Sequence, residues 1–99
     1  MKFYYTYVLL SKKDFNLYFG YTENLKSRIE QHNEGKVEST KYRRPLVPIY
    51  FEGCLNRYDA LKREKYFKTY YGRMYIKKRL KNYFMRSILI PPGKLESKY

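Results

Sequence analysis

The hydrophobic pattern in the first half of the chain predicts a β-hairpin. The segments FYYTYVLL (3–10) and FNLYFGY (15–21) are both rich in β-branched and aromatic residues, with polar residues between them. We expect them to pair as antiparallel strands across a connection longer than a two-residue turn. LVPIYFEG (46–53) predicts a third strand. Pro48 has no backbone N–H to donate, which favours an edge position for this strand.

A first helix is predicted directly after the hairpin. Asn24 offers an N-cap, after which Leu25, Ile29 and His32 fall on one stripe at helical spacing. Gly35 follows the stripe and can end the helix in the left-handed conformation.

Two more helices are predicted in the second half of the chain. One runs from about Arg57 to Tyr71, with Asn56 as its cap and Gly72 as its stop, and the other covers 73–84. We expect residues 1–86 to form one domain and 87–99 to form a loosely docked C-terminal tail. The predicted fold is a small α/β (α+β) sandwich, in which about three helices flank a three-stranded antiparallel sheet in the order β-β-α-β-α-α.

Charge points to a polyanionic partner. The 22 Lys and Arg residues against 9 Asp and Glu give a net charge of +13, spread along the whole chain of 99 residues. Nucleic acid is a commoner partner for such a surface than an anionic membrane. The alternative is a basic protein whose charge serves solubility alone.

Composition adds limits on the compartment and the core. Fourteen Tyr and six Phe with no Trp predict a core of amphipathic rings, although the same rings could stack on bases. Cys54 is the one cysteine, so a disulfide framework is excluded and a reducing, cytoplasmic location is predicted. Neither a transmembrane run nor a signal peptide is predicted.

One carboxylate stands at an unexpected place on the second helix. Glu64 shares a face with Ala60, Leu61, Phe67 and Lys68 by i+3 and i+4 spacing. A carboxylate on such a face needs a cation, a hydrogen-bond donor or a metal. The alternative is a helical ion pair with Lys68 in the favourable orientation.

Other polar and aromatic residues also allow two interpretations. Arg28 and His32 lie one turn apart on the first helix and should project together towards the second strand. Alternatively, Arg28 is solvated and His32 is a polar residue near the helix C-terminus, where a cation is mildly favourable. Tyr7 and Tyr18 lie on adjacent strands and could serve cross-strand packing alone.

Taken together, four segments resemble the GIY-YIG nuclease family, specifically its small stand-alone bacterial members. They are YTY (5–7), YFG (18–20), LKSRIEQH (25–32) and ALKREKYFK (60–68). The resemblance covers roughly residues 3 to 84. The chain is also similar to the GIY-YIG domain of the excinuclease nuclease subunit. It implies a metal-dependent endonuclease that hydrolyses phosphodiester bonds in DNA.

The resemblance also implies roles for individual residues. Tyr7 and Tyr18 match the two signature tyrosines, Arg28 the catalytic arginine and His32 the helix histidine. Glu64 matches the ligand for Mg²⁺ or Mn²⁺. We expect Tyr18 to act as the general base and Tyr7 to hydrogen-bond water or phosphate.

We expect substrate contacts from three places. Gly20 allows close approach of the backbone, Tyr21 follows it, and the loop KVESTKYRRP supplies basic side chains. The residues are Gly20, Tyr21, Lys36, Lys41, Arg43 and Arg44. The loop could instead be a solvated charged segment. Two other functions stay open: a non-catalytic nucleic-acid-binding module, and an interaction domain of a repair or recombination complex.

Overall fold

A computed structural model describes residues 1–86. Their contacts form two compact units, one ending at Lys65 and the other beginning at Tyr66. The elements, in chain order, are β1 (Tyr4–Ser11), β2 (Leu17–Thr22), α1 (Leu25–Asn33), a 3₁₀ turn (Lys41–Arg43), β3 (Leu46–Cys54), α2 (Arg57–Phe67), α3 (Tyr70–Arg79) and α4 (Lys81–Arg86). This α+β fold confirms the predicted element types and order. The predicted tail 87–99 lies outside the described residues.

The sheet has the order β2-β1-β3, with β1 antiparallel to both neighbours. The predicted hairpin is therefore confirmed, and so is the edge position of the strand that contains Pro48. Leu9 pairs with Pro48 and Val8 with Tyr50, so Ile49 is an extra residue that makes a bulge. The bulge lies beside a proline that cannot donate to the ladder.

The central strand has both faces covered, so its apolar run is continuous rather than alternating. Tyr7 and Leu9 point to one face and form a buried cluster with Leu46. On the opposite face Thr6 donates its hydroxyl to the Ala60 carbonyl at 2.8 Å. Partly buried side chains packed against the first cluster are Tyr18, Leu25 and Ile29.

Local hydrogen bonds fix both ends of α1. The Asn24 side chain accepts from the Ser27 N–H at 3.1 Å, and Gly35 follows the helix at φ 80°, which confirms the predicted start and stop. Near the end of the helix, the Asn33 amide donates to the Leu46 carbonyl and accepts from its N–H, both at 2.8 Å. This pair of bonds holds the C-terminal turn of α1 against the start of β3.

The second helix starts as predicted and ends earlier than predicted. The Asn56 side chain accepts from the N–H groups of Tyr58 and Asp59 at 2.9 and 3.2 Å. The predicted continuation to Tyr71 is wrong, because α2 ends at Phe67.

Gly72 does not end a helix, contrary to the prediction. It lies buried inside α3, whose N-cap is Thr69, and its own N–H donates to the Thr69 hydroxyl at 3.1 Å. A Cβ at position 72 would lie 1.9 Å from the Tyr66 carbonyl oxygen. Glycine is therefore required here by a close backbone approach rather than by helix termination.

The predicted third helix over 73–84 is divided in two. Leu80 takes φ −107° and ψ 23° as the C-cap of α3, and α4 begins at the next residue. Position 80 is a leucine rather than a glycine, a proline or a residue with a capping side chain. The residue type there therefore gives no local signal for this division. Ile76 and Phe84 are buried. None of the helices within residues 1–86 is long and apolar enough to cross a membrane.

Candidate active site

Tyr7 lies at the centre of the site. Its side chain is 1% exposed, and its hydroxyl lies 2.8 Å from His32 Nε2. Gly20 is directly opposite on β2, and a Cβ there would lie 2.3 Å from the Tyr7 ζ carbon. The Tyr7 ring thus occupies the space that a side chain at position 20 would need. Contact between the Gly20 backbone and substrate stays a prediction.

His32 is fully buried on α1, and both of its ring nitrogens have partners. Nε2 meets Tyr7, and Nδ1 lies 2.7 Å from the Thr40 hydroxyl. Burial lowers the pKa of His32 to about 4, and the Arg28 charge acts in the same direction. The ring is therefore neutral at pH 7. The alternative that His32 is only a polar residue at the helix end does not fit its complete burial between Tyr7 and Thr40.

The hydrogen bonds of Thr40 indicate which nitrogen of His32 carries the proton. The buried Thr40 hydroxyl donates to the Val37 carbonyl at 3.5 Å. Its oxygen is then available to accept from Nδ1–H of His32, which leaves Nε2 to accept from the Tyr7 hydroxyl. Sequence reasoning missed Thr40, because the loop that contains it has no periodicity and the contact joins residues eight positions apart.

Arg28 and Tyr18 complete the group around Tyr7. Burial raises the pKa of Tyr7 to about 12, while the Arg28 guanidinium acts to lower it. Arg28 also donates to the Gln31 side chain at 3.0 Å. The half-buried Tyr18 ring has its centroid 5.0 Å from that of His32 and 6.4 Å from that of Tyr7. The structure thus brings the two tyrosines, the arginine and the histidine together.

Glu64 lies within electrostatic reach of this group. It is half-buried on α2, and its charge makes a small contribution that raises the pKa of Tyr7. Among residues 1–86, no group of three or more His, Cys, Asp and Glu side chains could hold a metal. A divalent ion at Glu64 would therefore take its other ligands from water and substrate. Mg²⁺ sites with one or two carboxylates have that composition, so the residues fit.

A cleft of about 380 Å³ opens beside Arg28. Its lining residues are Tyr21, Thr22, Glu23, Asn24, Ser27, Arg28 and Gln31. The Tyr21 hydroxyl donates to the Glu23 carboxylate at 3.2 Å, and burial together with this bond raises the pKa of Tyr21. The predicted substrate contact Tyr21 and the predicted catalytic residue Arg28 thus share one concave surface.

Arg43 has a structural role, which argues against its prediction as a phosphate contact. Its guanidinium donates to the Asp14 carboxylate at 2.7 Å and to the carbonyls of Asn16 and Leu17. The Arg43 carbonyl accepts from the Ser11 hydroxyl at 2.7 Å. These bonds tie the basic loop to the hairpin turn and engage Nε and Nη2 of the guanidinium.

The other three basic residues of the loop keep their charges near the surface. The Arg44 side chain donates to the Lys41 carbonyl at 2.7 Å and lies over Gly35, where a Cβ would come within 2.7 Å of it. Lys36 and Lys41 pair with the carboxylates of Glu34 and Glu38 at 3.1 and 3.4 Å. Ion pairs near the surface contribute little to stability. Substrate contacts by these three residues stay predictions.

Comparison with known proteins agrees with this geometry. Residues 3–79 match the family described as the GIY-YIG catalytic domain. The chain belongs to the GIY-YIG family. This places it in a nuclease family whose ligand is nucleic acid.

The similar proteins are small bacterial proteins. A UPF0213 protein of Pediococcus pentosaceus is 48% identical over 66 residues, which are 66% of this chain and 68% of the relative. A UPF0213 protein of Staphylococcus haemolyticus is 46% identical over 66 residues, 65% of this chain and 80% of the relative. A search of solved structures gave no significant match.

Proposed function

We propose that this GIY-YIG protein is a metal-dependent endonuclease that hydrolyses phosphodiester bonds in DNA. The observation that carries the proposal is the buried hydroxyl of Tyr7. It is held 2.8 Å from a neutral His32 and lies within electrostatic reach of Arg28 and Glu64. A core tyrosine packed only for stability would not need the charges of an arginine and a carboxylate acting on it.

Charge stabilisation is assigned to Arg28 and Glu64. The planar guanidinium of Arg28 suits a phosphate oxygen pair, and its cleft gives the phosphate a place to lie. Glu64 would hold Mg²⁺ or Mn²⁺. The bound ion would supply Lewis-acid stabilisation of charge on the phosphoryl oxygens.

The two tyrosines receive different roles because their surroundings differ. Tyr7 is 1% exposed with a raised pKa, so its hydroxyl stays protonated and donates to His32. Tyr18 is half-buried and close to the same histidine. We therefore assign activation of the attacking water to Tyr18. The Tyr7 hydroxyl gives its one proton to His32, so its role is to accept a hydrogen bond from that water.

The direct test is nicking of supercoiled plasmid in Mg²⁺, Mn²⁺ and EDTA. Glu64→Gln should abolish metal-dependent nicking and leave the fold and DNA affinity nearly unchanged. Glu30→Gln is the matched control, because it removes the same charge from an exposed position on α1. Full activity of Glu64→Gln would refute the metal assignment. Absence of nicking by the wild-type protein on duplex, branched and single-stranded DNA would favour the non-catalytic binding module.

The sequence also predicts a protein partner in DNA repair or recombination and a cytoplasmic location. Both stay predictions. Neither is needed for the chemistry proposed for Tyr18, Arg28 and Glu64.

A further inference from the structure

Three aromatic side chains form a continuous patch on the face of the sheet that carries Tyr7. Phe51 pairs directly with Tyr7 across β1 and β3, and Tyr5 precedes Tyr7 by two residues on β1. Both rings therefore leave the sheet on the same side as Tyr7. Ring centroids lie 6.0 Å apart for Tyr5 and Phe51 and 6.4 Å apart for Phe3 and Tyr5. We call Phe3, Tyr5 and Phe51 the aromatic platform.

The platform is open to solvent. Phe51 is 56% exposed and Phe3 is 40% exposed. Gly53 lies opposite Tyr5 on β3 and leaves the platform uncovered, since a Cβ there would lie 3.1 Å from the Tyr5 ring and 3.3 Å from Phe3. Single exposed apolar residues are ordinary on protein surfaces. Two exposed rings that both contact the half-buried Tyr5, beside the proposed reacting groups, indicate a binding surface.

The platform is continuous with the cleft that contains Arg28. Tyr5 pairs with Thr22 on β2, and Thr22 lines that cleft. A polymer lying across Tyr7 would thus meet an arginine on one side and exposed aromatic rings on the other. The protein's net charge of +13 attracts polyanions to the whole surface. Rings beside a phosphate-binding arginine match the alternating base and phosphate of a nucleic-acid strand.

We infer that the aromatic platform stacks an unpaired base of a DNA strand whose scissile phosphate lies at Arg28. This inference rests on the proposed function and names its substrate class: single-stranded or locally opened DNA. In a duplex the faces of each base are covered by its neighbours, so the platform would find no free face to contact. An unpaired base offers one, and stacking on an aromatic ring does not depend on which base it is.

The test measures binding in EDTA, which separates it from cleavage. Affinity is compared for a single-stranded deoxyoligonucleotide and a duplex of the same sequence. Phe51→Ala should weaken single-strand binding by about 5- to 150-fold, as expected for loss of one stacked base, and change duplex binding less than about twofold. Tyr58→Ala is the control, because it removes an aromatic ring that is 71% exposed on α2. It should leave both affinities unchanged.

Pairing the protein variant with an altered oligonucleotide identifies the contact. Removing one base to leave an abasic site at the stacked position should weaken binding to wild type but have little further effect on Phe51→Ala. The chain has no Trp, so Phe51→Trp introduces a single tryptophan whose emission can be distinguished from that of the tyrosines. Its emission should be quenched by the intact oligonucleotide and not by the abasic one.

Several results would overturn the inference. The first is an equal loss of duplex and single-strand affinity in Phe51→Ala. The second is tighter binding of the matching ribo-oligonucleotide than of DNA. The third is a concentration-dependent dimer that Phe51→Ala dissociates. The last would assign the platform to a second copy of the chain. Absence of cleavage of both plasmid and the single-stranded oligonucleotide in Mg²⁺ would refute the proposed function while leaving these binding results valid.

Discussion

Replacing Gly20 with alanine should damage both stability and activity, because the new methyl group needs space that Tyr7 occupies. The added Cβ would lie 2.3 Å from the Tyr7 ζ carbon and 2.4 Å from the hydroxyl oxygen. Ordinary contact begins near 3.4 Å, so ring or strand must move by about 1 Å. Overpacking of this kind typically costs about 1–3 kcal/mol of unfolding free energy.

The activity loss follows from where the ring would go. The Tyr7 hydroxyl is held 2.8 Å from His32 Nε2, and a displacement of about 1 Å away from it would break that hydrogen bond. Misplacement of this size can lower a catalysed rate by about 10²-fold. Urea unfolding gives the stability change, and plasmid nicking at a temperature where the variant stays folded gives the rate.

Two further variants test whether the Tyr7 ring is the reason for glycine at position 20. Gly53→Ala, on the same face, meets the half-buried Tyr5 ring and the exposed Phe3 ring at 3.1–3.3 Å, which can shift slightly, and should cost less than about 1 kcal/mol. Adding Tyr7→Leu to Gly20→Ala removes the obstructing ring atoms, so the double variant should be more stable than the sum of the single changes predicts. It should stay inactive. Gly20→Ala with wild-type stability and rate would refute this account of the glycine.

Further predictions concern the bases, the histidine and the loop. Tyr18→Phe should lower the nicking rate by roughly 10²-fold with little change in stability; a normal rate would remove its role as base. Thr40→Val should lower the rate and shift the imidazole ¹⁵N signals of His32, whereas Thr40→Ser should restore both. The unfolding free energy should fall by up to about 3 kcal/mol as pH drops from 6.5 to 4, because unfolded His32 binds a proton that the buried ring excludes; His32→Gln should lose this component. Arg44→Ala should reduce the log–log salt slope of duplex binding by about 0.9, whereas Arg43→Ala should mainly lower the melting temperature.

Features set by neighbouring residues could be predicted from the sequence. The cap at Asn24, the stop at Gly35 and the edge strand with Pro48 each depend on backbone chemistry within a few positions, and the structure confirms all three. The grouping of Arg28 with His32 likewise follows from helical spacing alone. Helix and strand periodicity therefore accounts for the sheet and α1.

Features set by distant contacts could not be predicted. Arg43 looks like any loop arginine in the sequence, yet its partner Asp14 lies 29 positions away. Thr40 carries no signal of burial, and its role depends on the position of a histidine that only the fold determines. Glycine commonly ends helices, but at position 72 it is explained by close approach of the Tyr66 carbonyl. In each case the missing information is a tertiary contact rather than a local preference.

The bonds that tie the basic loop to the strands bear on the kinetics of association. Asn33 holds the end of α1 to Leu46, and Arg43 holds the loop to Asp14, so the cations of the loop are already in place for the proposed binding of DNA. Encounter then requires no folding step and should be limited by electrostatically steered diffusion, which approaches about 10⁸–10⁹ M⁻¹s⁻¹ at low salt. Added salt should accordingly slow the association rate more strongly than it shortens the lifetime of the complex.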